Sequence, residues 1–231
     1  IYFFFKSAEE NNKKNIILAI LSGICLSLGI FMSFDQVFIV LFIGLVGIIL
    51  LMKKGIINIL YLLTTPLVLT MIYILLYMLV DFDIVEVLVN NIKQVKEDKL
   101  EMINTVGHLS ISKIYWFFGN TIAFLLYTGI PIVTLYIREL CGAFNDFIRY
   151  KKINIFSIPS FITLTTVICS CIYIGEVERI WFFIVPLLAI TSGKMLWMLD
   201  KKDGSISYLL LSCVILFVQT FLIESLLYNY W

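Results

Sequence analysis

The sequence predicts an all-α fold, a polytopic transmembrane helix bundle of about seven spans with a truncated helix end at its N-terminus. Three observations predict it. Apolar residues make up 61% of the chain and charged residues 14%, with a mean hydropathy of +1.01; soluble domains carry about 45–50% apolar and about 25% charged residues. The excess is gathered into runs close to the ~20 residues that a helix needs to cross a bilayer. Basic and non-basic connections alternate between the runs, the pattern that orients membrane helices. No stretch shows the strand-period alternation of a membrane barrel. The net charge of +1 argues against nucleic acid as a partner.

Taken in order, Ile1-Tyr2-Phe3-Phe4-Phe5 is apolar and stops at Lys6. It is too short to span and lacks signal-peptide anatomy. It reads as the last turn of a helix that begins earlier, so the chain is expected to be the C-terminal part of a longer protein, one transmembrane helical domain over 1–231. Seven runs follow, at 16–32, 36–52, 56–80, 114–137, 155–174, 180–199 and 205–228. Ser33-Phe34-Asp35 joins the first two as a tight hairpin. The third is long enough to tilt, and Pro66 after Thr64-Thr65 is placed to kink it. Gly23-x-x-x-Ser27 and Gly44-x-x-Gly47 are spacings that let helices approach closely.

The connections set sidedness. Lys6, Lys13 and Lys14 precede the first run, the Asp35 turn has no Lys or Arg, and Lys53-Lys54 follow the second run. Loop 81–113 is acidic on balance, with four Lys against six Asp and Glu. Loop 138–154 holds Arg138, Arg149, Lys151 and Lys152; the Glu176–Arg179 turn has one Arg; the loop near 194–204 holds Lys194, Lys201 and Lys202. Positive loops face the cytoplasm. A multi-pass cell-membrane protein follows, with basic loops inside and the Glu176 cluster, loop 81–113 and the C-terminus outside. Tyr115, Trp116, Trp181, Tyr228, Tyr230 and Trp231 fall at outer interfaces and Trp197 near an inner one, as anchors.

Loop 81–113 is the large non-membrane segment. Ile84, Leu88, Ile92 and Val95 recur at helical spacing, with Glu86, Asn90, Lys93 and Lys96 on other faces. That predicts an outer amphipathic helix, with a second short helix through 100–106. The cysteines form no framework. Cys25, Cys169, Cys171 and Cys213 lie inside apolar runs and read as small buried hydrophobes, with Cys141 in a basic loop. His108 is the only histidine and has no partner set for a metal. There is no Gly-rich phosphate loop, His-Glu-x-x-His, Ser-x-x-Lys or Gly-x-Ser-x-Gly, so a cytosolic nucleotide-driven enzyme is not indicated.

The stretch around which the reading turns is Gly175-Glu176-Val177-Glu178-Arg179-Ile180-Trp181. It puts two carboxylates and a guanidinium between two apolar runs. Each such charge costs about 2.5–3.5 kcal/mol at a membrane helix centre, so charges there serve function or sit at the interface. Arg179 suits bidentate phosphate binding, and Glu176 and Glu178 are placed to hold it or to bind a hydroxylated substrate. Glu224, Gln219 and Asn120 come late or early in runs that end on the same predicted face. An interfacial ion pair, with Glu224 reaching to the headgroups, accounts for the same residues without any ligand.

Tyr115-Trp116-Phe117-Phe118-Gly119-Asn120, then Gly129-Ile130-Pro131, then Gly175 to Trp181 resemble the C-terminal half of bacterial membrane glycosyltransferases of the GT-C class, over about residues 80–200. The resemblance implies an enzyme that takes a sugar from a polyprenyl-phosphate donor at the outer face. It makes Glu176, Glu178 and Arg179 substrate-proximal, with Asn120 and Glu224 beside them. In that class the catalytic carboxylate sits in a first external loop near the N-terminus, so the base is expected upstream of this chain. No metal ligand and no certain cofactor is indicated; a divalent cation remains compatible with the full-length protein. The expected partners are a lipid-linked sugar donor and membrane lipids. A polysaccharide polymerase or ligase, a transporter and a non-enzymatic scaffold stay open as alternatives.

Overall fold

The computed structural model describes residues 1–9, 14–54, 59–105, 113–170, 181–203 and 206–227. Among the described residues the regular structure is ten α-helices and two 3₁₀ turns, with no strand. The chain divides into two compact units, Ile1–Ile111 and Ser112–Trp231.

The first unit holds α1 (Tyr2–Glu9), α2 (Lys14–Met32), a 3₁₀ turn at Phe34–Gln36, α3 (Val37–Lys54), α4 (Ile59–Val80) and α5 (Ile84–Thr105). Its tightest packing is between α2 and α4. A Cβ added at Gly23 would lie 2.8 Å from Val68 Cβ and 2.9 Å from the Thr65 carbonyl, so the crossing needs a glycine. Two hydrogen bonds then run between the helices. Thr65 Oγ1 donates to the Ala19 carbonyl at 3.2 Å, and the Tyr73 hydroxyl donates to the Ser27 carbonyl at 2.9 Å. The Gly23-x-x-x-Ser27 spacing therefore does what it predicts. Gly44-x-x-Gly47 does less: Gly47 faces the Phe4 ring in ordinary contact, and Gly44 has open space. Along α3 the buried positions Ile39, Phe42, Ile43, Val46, Ile49 and Leu50 follow the helical repeat and make one inward stripe.

The acidic loop is helical as expected, but α5 runs unbroken to Thr105, so the stretch from 100 is not a separate helix. Asp83 starts it. Asp83 Oδ1 accepts the backbone N–H of Val85 at 2.8 Å and of Glu86 at 3.2 Å, satisfying two donors that a helix N-terminus leaves over. Ile84 and Leu88 are half-buried, and Glu86, Asn90 and Lys93 are exposed. Ile92, assigned to the inner face, is exposed instead.

The second unit holds α6 (Lys113–Thr128), α7 (Ile130–Tyr150), α8 (Ser157–Ser170), a 3₁₀ turn at Trp181–Ile184, α9 (Val185–Asp203) and α10 (Ser207–Leu227). Three expectations change here. The run 114–137 is not one straight helix: it breaks at Gly129, and α6 and α7 meet at 108°. Gly129 takes φ +107, a conformation that side-chain-bearing residues avoid. Pro131 follows within the first turn of α7, where its missing N–H costs nothing. Loop 138–154 is mostly helix, since α7 continues to Tyr150, and the basic loop near 194–204 is mostly the end of α9. The cysteines differ as well. Cys25, Cys141, Cys169 and Cys213 are free thiols on exposed helix faces, not buried ones.

By length and composition, three stretches among the described residues suit a membrane crossing: Phe34–Lys53, Leu63–Val80 and Ser207–Ser225. The bent pair Phe118–Thr128 and Ile130–Tyr150 makes a fourth if it counts as one span. The helices at Ile16–Met32 and Ser157–Ser170 are apolar but shorter. On α9, Lys194, Asp200, Lys201, Lys202 and Asp203 occupy the C-terminal half. The bundle of apolar helices thus stands, with three to four spans of full length among the described residues. Helix α10 is mostly apolar and exposed on all but one face, Phe217 at 74% and Phe221 at 63%, the surface of a helix suited to lipid.

Candidate functional site

Of the sequence-predicted site residues, Glu176, Glu178 and Arg179 lie outside the described residues, as does His108. Asn120 is on α6 and buried, at 8% exposure; Glu224 is on α10 and exposed. Two arrangements in the second unit carry the polar chemistry of its described residues.

The first is the α6–α7 bend. Interrupting a helix frees backbone groups that must find partners where water is scarce. Gln219 of α10 supplies both. Its Oε1 accepts the Ile130 N–H at 2.9 Å, and its Nε2 donates to the Leu126 carbonyl. One amide side chain thus joins the last turn of α6 to the first turn of α7. Leu216, one turn earlier on α10, sits where a Cβ on residue 129 would go, 2.4 Å from it. Thr128, beside the break and 6% exposed, has a buried hydroxyl without a hydrogen-bond partner. Next to the bend runs an apolar groove of about 550 Å³ whose lining includes Leu126, Ile130, Val214, Val218 and Leu222, with Gln219 and Tyr127 as its polar members.

The second arrangement is centred on Glu139, 5% exposed on the inner face of α7. Three donors converge on its Oε1: Lys194 Nζ at 2.6 Å from α9, Asn154 Nδ2 at 3.0 Å from the α7–α8 connection, and Ser157 Oγ at 3.3 Å from α8. Asn154 also caps α8, its Oδ1 accepting the N–H of Phe156 and Ser157 at 3.1 and 3.3 Å. Ser160 Oγ donates to the Ser157 carbonyl at 2.9 Å and lies 3.4 Å from the Tyr136 hydroxyl. Ser192 Oγ, two residues before Lys194 on α9, donates to the Ile132 carbonyl at 2.7 Å. A carboxylate at such burial persists when it is paired and hydrogen-bonded. Here a single oxygen ties three helices together, while the Lys194 side chain stays 45% exposed.

Glu139 lies nine residues beyond Ile130, about 14 Å along α7 at 1.5 Å per residue. The bend and the ion pair are therefore separate centres at different levels of one helix. Neither resembles a metal site: among the described residues no group of three or more His, Cys, Asp or Glu is placed to hold an ion. A sequence signal for Glu139 does exist. Tyr136, Glu139, Leu140 and Ala143 share one face at helical spacing and are all buried, so a carboxylate stands on an apolar stripe. For Gln219 the sequence offers only a polar residue inside an otherwise apolar run.

Comparison with known proteins gives no match: no protein family fits the chain, and no curated protein or solved structure is significantly similar to it.

Proposed function

We propose that this protein is a membrane glycosyltransferase that takes a sugar from a polyprenyl-phosphate donor and passes it to an acceptor hydroxyl at the outer face of the cell membrane. The observation that carries the reading is the apolar groove beside the α6–α7 bend. It offers a long isoprenoid chain an apolar seat between helices, and Glu224 follows directly on its lining residues Leu222 and Ile223. The GT-C resemblance of residues 115–120, 129–131 and 175–181 supports the same class. In this reading Arg179 stabilises the departing phosphate as charge develops, and Glu176, three residues earlier, orients the guanidinium. Asn120 and Glu224 contact the substrate, and a carboxylate upstream acts as base. The partners are the lipid-linked sugar and the surrounding lipids. The shorter apolar helices complete a seven-span bundle with its basic ends in the cytoplasm. In support, the two acidic connections of the first unit meet at one end: Phe31, just before the Asp35 turn, packs on Phe82 at 5.6 Å.

The test is sugar transfer by full-length protein in membranes, with protein level as control. Arg179→Lys keeps the charge but loses the planar fork and should cut the rate beyond what charge alone predicts; Arg179→Gln should cut it further. Transfer at the wild-type rate by normally accumulating Arg179→Gln protein refutes the phosphate role. One observation favours a second reading as a transporter: a broken helix bridged by a polar side chain is a recurrent substrate-site device. That reading expects solute uptake by sealed vesicles that Gln219→Leu abolishes and Arg179→Gln spares.

A further inference from the structure

At one end of the first unit, α2, α4 and the start of α5 enclose a pocket of about 430 Å³ that combines aromatic rings with a carboxylate. Tyr73, Tyr77, Phe82 and Asp83 form its polar end. Tyr73 and Phe82 stack at 6.5 Å with planes 27° apart, and Phe31 packs on Phe82 from behind. The bond from Tyr73 to the Ser27 carbonyl fixes that ring, and Tyr77 is 55% exposed. Asp83 uses Oδ1 to cap α5. Asp81 precedes Phe82, Glu86 is one turn into α5, and Asp35 lies two residues before the lining residue Val37. No lysine or arginine lines the pocket. The potential is therefore negative, and the rings present faces that attract cations. An anion would be repelled. The remaining lining is apolar apart from Thr70; Ile30 belongs to α2 and Leu69 and Ile74 to α4, which is long enough to cross a membrane.

We propose that this pocket binds a zwitterionic aminophospholipid. Its headgroup ammonium lies against Tyr77 and Phe82 beside the Asp83 carboxylate, and an acyl chain runs along Ile30, Leu69 and Ile74. The charge pattern selects an ammonium headgroup over an anionic one, and the apolar wall selects a lipid over a free amine. The site serves as a lipid contact that is independent of the proposed sugar transfer.

The experiment uses the full chain, stripped of lipid in detergent, titrated with short-chain phosphatidylethanolamine, phosphatidylglycerol of the same chains, and ethanolamine alone. Binding is read by native mass spectrometry and by the shift of the unfolding midpoint. Phosphatidylethanolamine should bind at least about fivefold more tightly than phosphatidylglycerol, the scale of one cation–aromatic contact with a carboxylate beside it. Asp83→Asn is the informative variant, because asparagine caps a helix as well as aspartate does. It should leave the lipid-free midpoint unchanged, weaken phosphatidylethanolamine about five- to tenfold and erase the preference. Should Asp83→Asn shift the lipid-free midpoint, the exposed Tyr77→Leu carries the test, with the same loss expected. Equal binding of the two lipids overturns the proposal. So does ethanolamine binding as tightly as the lipid, or unchanged phosphatidylethanolamine affinity in both variants.

Discussion

Replacing Gln219 by leucine tests the bend most directly. The substitution keeps the apolar bulk of the side chain and removes both of its bonds, leaving the Ile130 N–H without its partner and the Leu126 carbonyl with the Gly129 N–H alone, at 3.2 Å. Interhelical hydrogen bonds in membrane proteins contribute about 0.6 kcal/mol on average and up to about 1.7 kcal/mol each. Two such bonds give about 1–3 kcal/mol. The Ile130 N–H sits at a 108° break with no helical partner, while the Leu126 carbonyl keeps its bond from Gly129, so the whole range applies. For a chain of this size 1 kcal/mol shifts the midpoint by about 2–4 °C, so Gln219→Leu should unfold about 2–12 °C below wild type. Gln219→Glu keeps an acceptor for the Ile130 N–H and loses the donor to Leu126, so it should fall between the two. Thermal unfolding in one detergent, followed by circular dichroism and by an aggregation-independent fluorescence probe, measures both. A Gln219→Leu midpoint within about 1 °C of wild type would show that the bridge contributes nothing to holding the bend.

Three further outcomes follow from the same geometry. Gly129→Ala combines a disfavoured φ with a Cβ placed on Leu216 Cδ2 and should cost about 2–4 kcal/mol; adding Leu216→Ala should relieve the clash but not the backbone strain, which a double-mutant cycle on unfolding midpoints reads. At the Glu139 centre the two partners differ in exposure. Lys194→Met strands a buried carboxylate and should cost about 2 kcal/mol after allowing for the solvated lysine, whereas Glu139→Gln keeps an acceptor for Asn154 and Ser157 and should cost under about 1 kcal/mol; the double variant should be more stable than Lys194→Met, by the same assay. For sidedness, cysteine at Glu101 should react with an impermeant thiol reagent from outside and cysteine at Lys151 should not; since Cys25, Cys141, Cys169 and Cys213 are themselves exposed, the labelling requires a background without them.

The sequence makes helices legible because long apolar runs leave few other options, and it makes one crossing legible because Gly23 and Ser27 mark where α2 and α4 touch. The α5 cap at Asp83 and its amphipathic face also follow from local residues. What escapes is set by distance along the chain. Lys194 reads as a loop cation because nothing local says that its partner lies 55 residues earlier. Gly129-Ile130-Pro131 is visible as a motif, but glycine and proline are tolerated within membrane helices. The side chain that bridges the 108° bend, Gln219, lies 89 residues away from Ile130. The basic connections are shorter than their charges suggest, for a related reason. Charges at helix ends look like loops when α7 and α9 carry them on their last turns.

The separation between Ile130 and Gln219 also puts the bend on a clock. The residue that completes it is made 89 positions after Ile130, which at about 5–20 residues per second is about 4–18 s of synthesis. During that interval α6 and α7 exist without the side chain that joins their ends. Lipid headgroups, water or assembly factors must serve the open backbone meanwhile, or the two helices run straight until α10 arrives. The bridge between α6 and α7 is thus a late contact in biogenesis, supplied by the last helix of the unit to be made.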